Sequence, residues 1–144
     1  MLICGIDIGK NNHEACLINE ACHQITKTWR FANTTLGGEK LLDHFSQHNP
    51  QKEAISIGME ATGHYWLSIY CFLYDKGYQV NVINPIQSDA VRNLFLRNVK
   101  NDTTASFLIA ETIRIGRFRN PELAADAILA MRQLCRHRMD LVDY

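Results

Sequence analysis

The sequence predicts an α/β fold: a mixed five-stranded sheet with helices on both faces, followed by a further helix. Three observations carry this. Residues 2–8 are apolar almost without a break, which marks a central strand buried on both faces. Three strand-like segments then precede the first helical pattern. After that, strands and helices alternate, as parallel strands with crossover helices do. At 144 residues the chain is long enough for one domain with a real core.

The first strand contains one carboxylate, Asp7. Burying a lone ionised carboxylate costs several kcal/mol unless a metal or a positive group compensates it. Asn11 and Asn12 suit a turn, and residues 14–18 and 25–31 read as two more strands with a hairpin connection at 19–23. Asn33, Thr34 and Thr35 offer an N-cap for a helix to His48, with Leu41, Leu42 and Phe45 as its apolar stripe and Asn49-Pro50 as its stop. Gly37 and Gly38 weaken its first turn. Residues 54–59 form a fourth strand running into Glu60. A helix over 65–76 follows, lined by Trp66, Ile69 and Leu73 and ended by Gly77.

Residues 79–83 are the fifth strand, closed by Asn84-Pro85. Residues 86–95 read as helix and 96–101 as loop. Asp102 or Thr103 then caps a helix to Ile115, closed by Gly116. Asn120-Pro121 opens the last helix. Its apolar positions are Ile128, Met131, Leu134, Cys135, Leu141 and Val142. It has no stop signal, and Asp140 and Asp143 sit where the macrodipole disfavours acids. It therefore reads as a helix cut short at Tyr144.

Net charge is zero but unevenly spread. Residues 1–91 hold six basic and nine acidic residues, and residues 92–144 hold nine and six. The C-terminal part is the better side for a polyanion, although a solvated face gives the same bias. The five cysteines are odd in number and form no C-x-x-C, which argues against a disulfide framework and a structural zinc site. Cys4 and Cys71 lie in apolar runs and read as core residues. With no signal peptide and no span long enough for a membrane, the expected compartment is the reducing cytoplasm.

The order of elements is the ribonuclease H-like plan, in which the first and fourth strands are neighbours. Asp7 and Glu60 would then point at one spot. Asp102 opens a helix whose i and i+3 positions share a face, so it could complete an acidic cluster. Such clusters hold two Mg²⁺ or Mn²⁺ ions about 4 Å apart and clamp the attacking and leaving oxygens of a phosphodiester. Each acid also has a plain reading: Asp7 as a hydrogen-bonded core acid, Glu60 as a turn cap, Asp102 as an N-cap. The coincidence of all three favours the site. His13 and His64 read as loop or surface histidines. Tyr65, Trp66, Tyr70 and Phe72 read as core and helix face. Arg92, Arg97 and Lys100, with Lys10 beside Asp7, are candidate phosphate contacts.

These residues also carry a resemblance. Residues 5–13 (GIDIGKNNH), 31–34 (FANT), 58–65 (GMEATGHY), 82–85 (VINP) and 100–102 (KND) resemble, in order and spacing, the N-terminal RuvC-like domain of DEDD-type insertion-sequence transposases, which include the Piv-type DNA invertases. The resemblance covers nearly the whole chain. It implies a RuvC-like domain at 1–119 and the start of a long coiled-coil helix at 120–144. It further implies cutting and rejoining of DNA with Mg²⁺ or Mn²⁺, a structured bridge RNA as guide, and a C-terminal domain supplying a serine nucleophile. A homo-oligomer through the last helix is also expected. The family's four acids map to Asp7, Glu60, Asp102 and position 105. Position 105 is Ala105, and Ser106 replaces the usual small residue. The fourth acid is thus missing, so metal binding is expected to be weak or absent and this chain inactive.

Two rivals come from other classes. An actin-like kinase or ATPase would use Gly5–Gly9 as a phosphate loop, but it needs a second glycine-rich loop, and none is present. A non-catalytic RNA- or DNA-binding module would keep the fold without the chemistry, and Ala105 favours it.

Overall fold

The structure is a computed structural model that describes residues 1–98, 104–116 and 125–142. Five strands form one sheet: β1 (Leu2–Asp7), β2 (Asn12–Asn19), β3 (Trp29–Ala32), β4 (Ile55–Glu60) and β5 (Gln79–Ile83). Their spatial order is β3-β2-β1-β4-β5. β1–β2 and β2–β3 are antiparallel, whereas β1–β4 and β4–β5 are parallel. The helices are α1 (Thr35–His48), α2 (Trp66–Asp75), α3 (Pro85–Asn98), α4 (Ala105–Ile115) and α5 (Ala125–Val142). The expected mixed sheet, with the first and fourth strands as neighbours, is the one observed.

Side chains alternate across the sheet with period two. Cys4 and Ile6 of β1, Ala15 and Leu17 of β2, and Ile55, Ile57 and Met59 of β4 join Leu41 and Phe45 of α1 and Ile69 and Leu73 of α2 in one core. Ile3, Cys16, Ile18 and Ile83 face the other way, against Ile109, Ala110 and Ile113 of α4. Two glycines let α4 approach. Gly5 and Gly58 are register partners on β1 and β4. A Cβ on Gly5 would collide with the backbone of Ser106 and Ala110, and one on Gly58 with the Ile113 side chain.

Several boundaries differ from expectation. β3 starts at Trp29, not near residue 25. The hairpin after β2 is closed by the Asn19 side chain, which accepts from the backbone N–H of Ala21 and His23. Beyond one isolated bridge, Ile18 to Gln24, the chain leaves the ladder until Trp29. α3 runs to Asn98, so residues 96–98 are helix where a loop was expected. α4 is capped by Thr104, not by Asp102 or Thr103: the Thr104 hydroxyl accepts from Phe107 N–H and Thr104 itself is extended. Three cap-competent residues stand in a row here, and the last of them takes the role. The expected start of the last helix at Asn120-Pro121 lies outside the described residues.

α5 packs on α2 through Met131 and Cys135. Arg132 pairs with Asp75 at 2.9 Å. Leu134 and Leu141 are exposed, so part of its apolar face is uncovered. No helix among the described residues is long and apolar enough to cross a membrane.

Candidate active site

Asp7 ends β1 and Glu60 ends β4. These strands are parallel and paired through Ile6 and Met59, so the two acids come next, side by side. Alternation puts both on the α4 face, with Gly5 and Gly58 directly before them on that face. β2 brings a third carboxylate: Glu14 is the register partner of Asp7, on the same face as Cys16 and Ile18. The result is a row of three acids, Glu14, Asp7 and Glu60, across three adjacent strands.

The acids differ in their partners. Glu14 pairs with Arg30 of β3 at 3.2 Å. Glu60 Oε1 accepts from Thr62 Oγ1 at 3.3 Å. Its Oε2 is 3.0 Å from the hydroxyl of buried Ser88 on α3, whose single proton is shared with the Pro85 carbonyl, also at 3.0 Å. Half-buried Asp7 receives no hydrogen bond among the described residues. Burial raises its pKa first, and the negative charges of Glu14 and Glu60 raise it further; among the described residues Arg92 opposes them. Arg92 stands one helical turn after Ser88 on α3, and it also pairs with Asp89 at 3.3 Å.

α4 points its first turn toward this edge. Ser106 and Ala110 lie over Gly5, two residues before Asp7. Farther along the helix, Glu111 and Arg114 lie beside Cys22, beyond the end of β2 at Asn19, which pairs with Leu2. The helix therefore runs against β1, and its amino end faces the carboxyl ends of the parallel strands. Thr104 Oγ1 lies 3.2 Å from Ser106 Oγ and 3.4 Å from Thr28 Oγ1. Ala105 is the first helical residue and offers no ligand atom. Because the helix opens at Ala105, the shared helical face expected for 102 and 105 is not part of the described helix.

The turn after Asp7 is held firmly. His13 is buried, not a surface residue as the sequence suggested. Its Nδ1 accepts from Gly9 N–H at 3.1 Å, and burial lowers its pKa, opposed by a hydrogen bond to Asn33. A neutral imidazole is what that acceptor role requires. Asn33 Nδ2 donates to the Lys10 carbonyl at 3.0 Å. Lys10 is thus exposed on a fixed turn three residues from Asp7.

Of the expected site residues, the structure brings Asp7, Glu60 and Arg92 together, places Lys10 on the adjoining turn, and puts Ala105 on the helix end that faces them. Asp102 and Lys100 lie outside the described residues, as does the side chain of Arg97. Glu14, Ser88 and Thr62 were missed. Nothing in the spacing of Glu14 marks it, because only the β1–β2 register sets it opposite Asp7. Among the described residues no three His, Cys, Asp or Glu side chains form a group that could hold a metal ion. The pair Asp7 and Glu60 supplies hard oxygen donors, and the crowding of like charge at Asp7 favours a cation there.

Comparison with known proteins agrees with this fold. The fold is that of Thermus thermophilus RuvC, with a TM-score of 0.59 at 13% identity over 84% of this chain and all of RuvC. The same enzyme in complex with a Holliday junction substrate superposes with a TM-score of 0.58. The pilin gene-inverting proteins of Moraxella bovis and Moraxella lacunata are each 29% identical over 119 residues, 83% of this chain. The chain spans about a third of their length, 35%. Residues 4–144 match the family model of the DEDD transposases of the IS110 type. An acid pair closing adjacent strands of a RuvC-like sheet and a match over nearly every residue lead to one conclusion: the chain belongs to the IS110-type DEDD transposase family.

Proposed function

We propose that this chain is the metal-dependent catalytic part of a transposase or recombinase that cuts and rejoins DNA, and that it lacks one acid of its site. The observation that carries this reading is the placement of Asp7 and Glu60 in register at the carboxyl ends of neighbouring parallel strands. Asp7, Glu60 and Asp102 would hold Mg²⁺ or Mn²⁺. When bound, such ions stabilise the attacking and leaving oxygens of a phosphodiester. The chain's own residues do the rest. Ser88 and Thr62 orient the Glu60 carboxylate. Arg92 offsets the charge at Asp7. Lys10, Arg92, Arg97 and Lys100 contact DNA phosphates. Ala105 removes one or two oxygen ligands, so metal binding is weak and strand cleavage lost.

The partners in this reading are DNA, a structured bridge RNA, and further copies of the chain joined through α5 as the start of a coiled coil, with domains at 1–119 and 120–144. The RuvC relative was captured on a Holliday junction, which makes branched DNA the first substrate to try. The compartment in this reading is the cytoplasm, where a DNA-acting protein meets its substrate and thiols are kept reduced. A second reading, a non-catalytic nucleic-acid-binding module, is favoured by Ala105.

The test is a cleavage assay on branched DNA with Mn²⁺, using the full-length protein that contains this chain, as it stands and with A105D. Cleavage restored by A105D and lost again with Asp7→Asn supports the enzyme reading. Binding without cleavage in both forms supports the module. In either case Lys10→Ala should weaken DNA binding evenly across sequences and lower the salt slope by about 1.

A further inference from the structure

The cysteines looked unrelated in the sequence, yet the fold joins two of them. Cys71 lies on α2 and Cys135 on α5, 64 positions apart, with their sulfurs 3.4 Å from each other. Cys71 is buried and Cys135 is half-buried. We propose that Cys71 and Cys135 are a reversible disulfide site that locks α5 onto α2 under thiol oxidation.

Among the described residues, these helices are also tied by polar contacts. They are Arg132 to Asp75, Arg132 over the Tyr74 ring at 5.1 Å, Arg138 to Ser68 at 3.5 Å and Arg138 over the Tyr65 ring at 5.8 Å. Contacts of this kind between partly exposed side chains contribute little each. Met131 and Cys135 supply the apolar contact. A covalent bond between the two helices would strengthen this contact, and it would close a long loop of the unfolded chain. To bond, the sulfurs close from 3.4 Å to about 2.05 Å.

The oxidant is a small-molecule disulfide such as oxidised glutathione. Cys135 is the less buried of the two residues. Its thiolate attacks one sulfur of the oxidant, breaks the S–S bond and releases one thiolate, which takes up the proton Cys135 gave up. Cys71 then loses its proton and attacks the Cys135 sulfur of the mixed disulfide. The second small thiolate leaves and takes that proton. The two cysteines are oxidised and the small disulfide is reduced to two thiols. Burial first, and then Cys135, push the Cys71 thiol up to about 12, which assigns it the second, resolving step.

The full chain, prepared reduced, is incubated with oxidised glutathione and digested under non-reducing conditions. A peptide linking Cys71 to Cys135 is expected, with the thermal midpoint raised by about 5–10 °C and reversed by dithiothreitol. Trypsin cleavage after Arg132, Arg136 and Arg138 should slow at least about fivefold, since cutting within α5 requires local opening. Cys135→Ser, at a half-exposed position that tolerates a hydroxyl, should abolish the link and the shift. Cys71→Ala should leave Cys135 stably glutathionylated. A wild-type chain in which Cys135 also stays glutathionylated, or in which the oxidised sulfurs are other pairs, overturns the proposal. So does a 71–135 link that leaves α5 cleavage unchanged.

Discussion

Two carboxylates on the α4 side of the sheet show opposite solutions to one problem. Glu111, on α4, is fully buried. Arg114, one turn on, clasps it, with Nε 2.6 and 2.7 Å from the two carboxylate oxygens. The Cys22 thiol also lies against it, pushed up to about 11 by burial first and then by Glu111. Asp7 is only half-buried, yet among the described residues it has no hydrogen-bond donor, and its close neighbours Glu14 and Glu60 carry its own sign. Glu111 brings its cation with it. On the proposed reading, Asp7 is left short of positive charge so that a cation can be recruited there.

Breaking the structural pair should have the largest effect. Arg114→Met leaves Glu111 charged and unpaired in the core, and should destabilise the fold by about 3 kcal/mol, a fall of about 10 °C in the thermal midpoint. Adding Glu111→Gln should recover most of that loss in denaturant melts, since the cost comes from the stranded charge. A single variant as stable as the parent would show that Glu111 is not a buried charge.

Neutralising Asp7 should do the reverse. Asp7→Asn removes the repulsion and should stabilise the metal-free chain, by less than about 1 kcal/mol, because solvent screens a half-buried group. The pH dependence follows from the raised pKa. Between the unfolded value, about 4, and the raised folded value, the native state binds more protons than the unfolded one. Metal-free stability therefore falls as pH rises through that window. The same fall should be shallower in Asp7→Asn, and identical pH profiles would remove Asp7 as its source.

A smaller effect isolates the residue that sequence reasoning missed. Glu14→Gln takes away one like charge, and the Asp7 pKa should drop toward the ordinary carboxylate value while remaining above it, since burial, the first cause, is untouched. A carboxyl NMR titration reads this directly. An unmoved Asp7 would mean that Arg30 already cancels Glu14.

The sequence carried the strand order because each parallel strand is a dense apolar run with its own turn signals. Asp7 and Glu60 were legible as the polar ends of two such runs. Glu14 was not, because a register between antiparallel strands is set by pairing and leaves no mark on one strand alone. The start of α4 was misplaced because Asp102, Thr103 and Thr104 are all good caps, and the choice is made by where Gly5 lets the helix sit. His13 was assigned to the surface because the role of its Nδ1, accepting from Gly9, is visible only when the turn is closed. The meeting of Cys71 and Cys135 depends on how α5 docks, which no local pattern encodes.

On the proposed reading, the carboxyl ends of β1 and β4 form a divalent-cation site left incomplete at position 105. Calorimetric titration of Mn²⁺ into the full chain, into A105D and into A105D combined with Asp7→Asn, at one pH and salt, tests it most directly. An acid at the first helical position also suits the macrodipole, so A105D should fold as well as the parent. Weak or no binding to the parent is expected, with at least about tenfold tighter binding to A105D and loss of that gain when Asp7 is neutralised. Equal affinity in the parent and A105D would contradict it, and would show that position 105 does not face the cation.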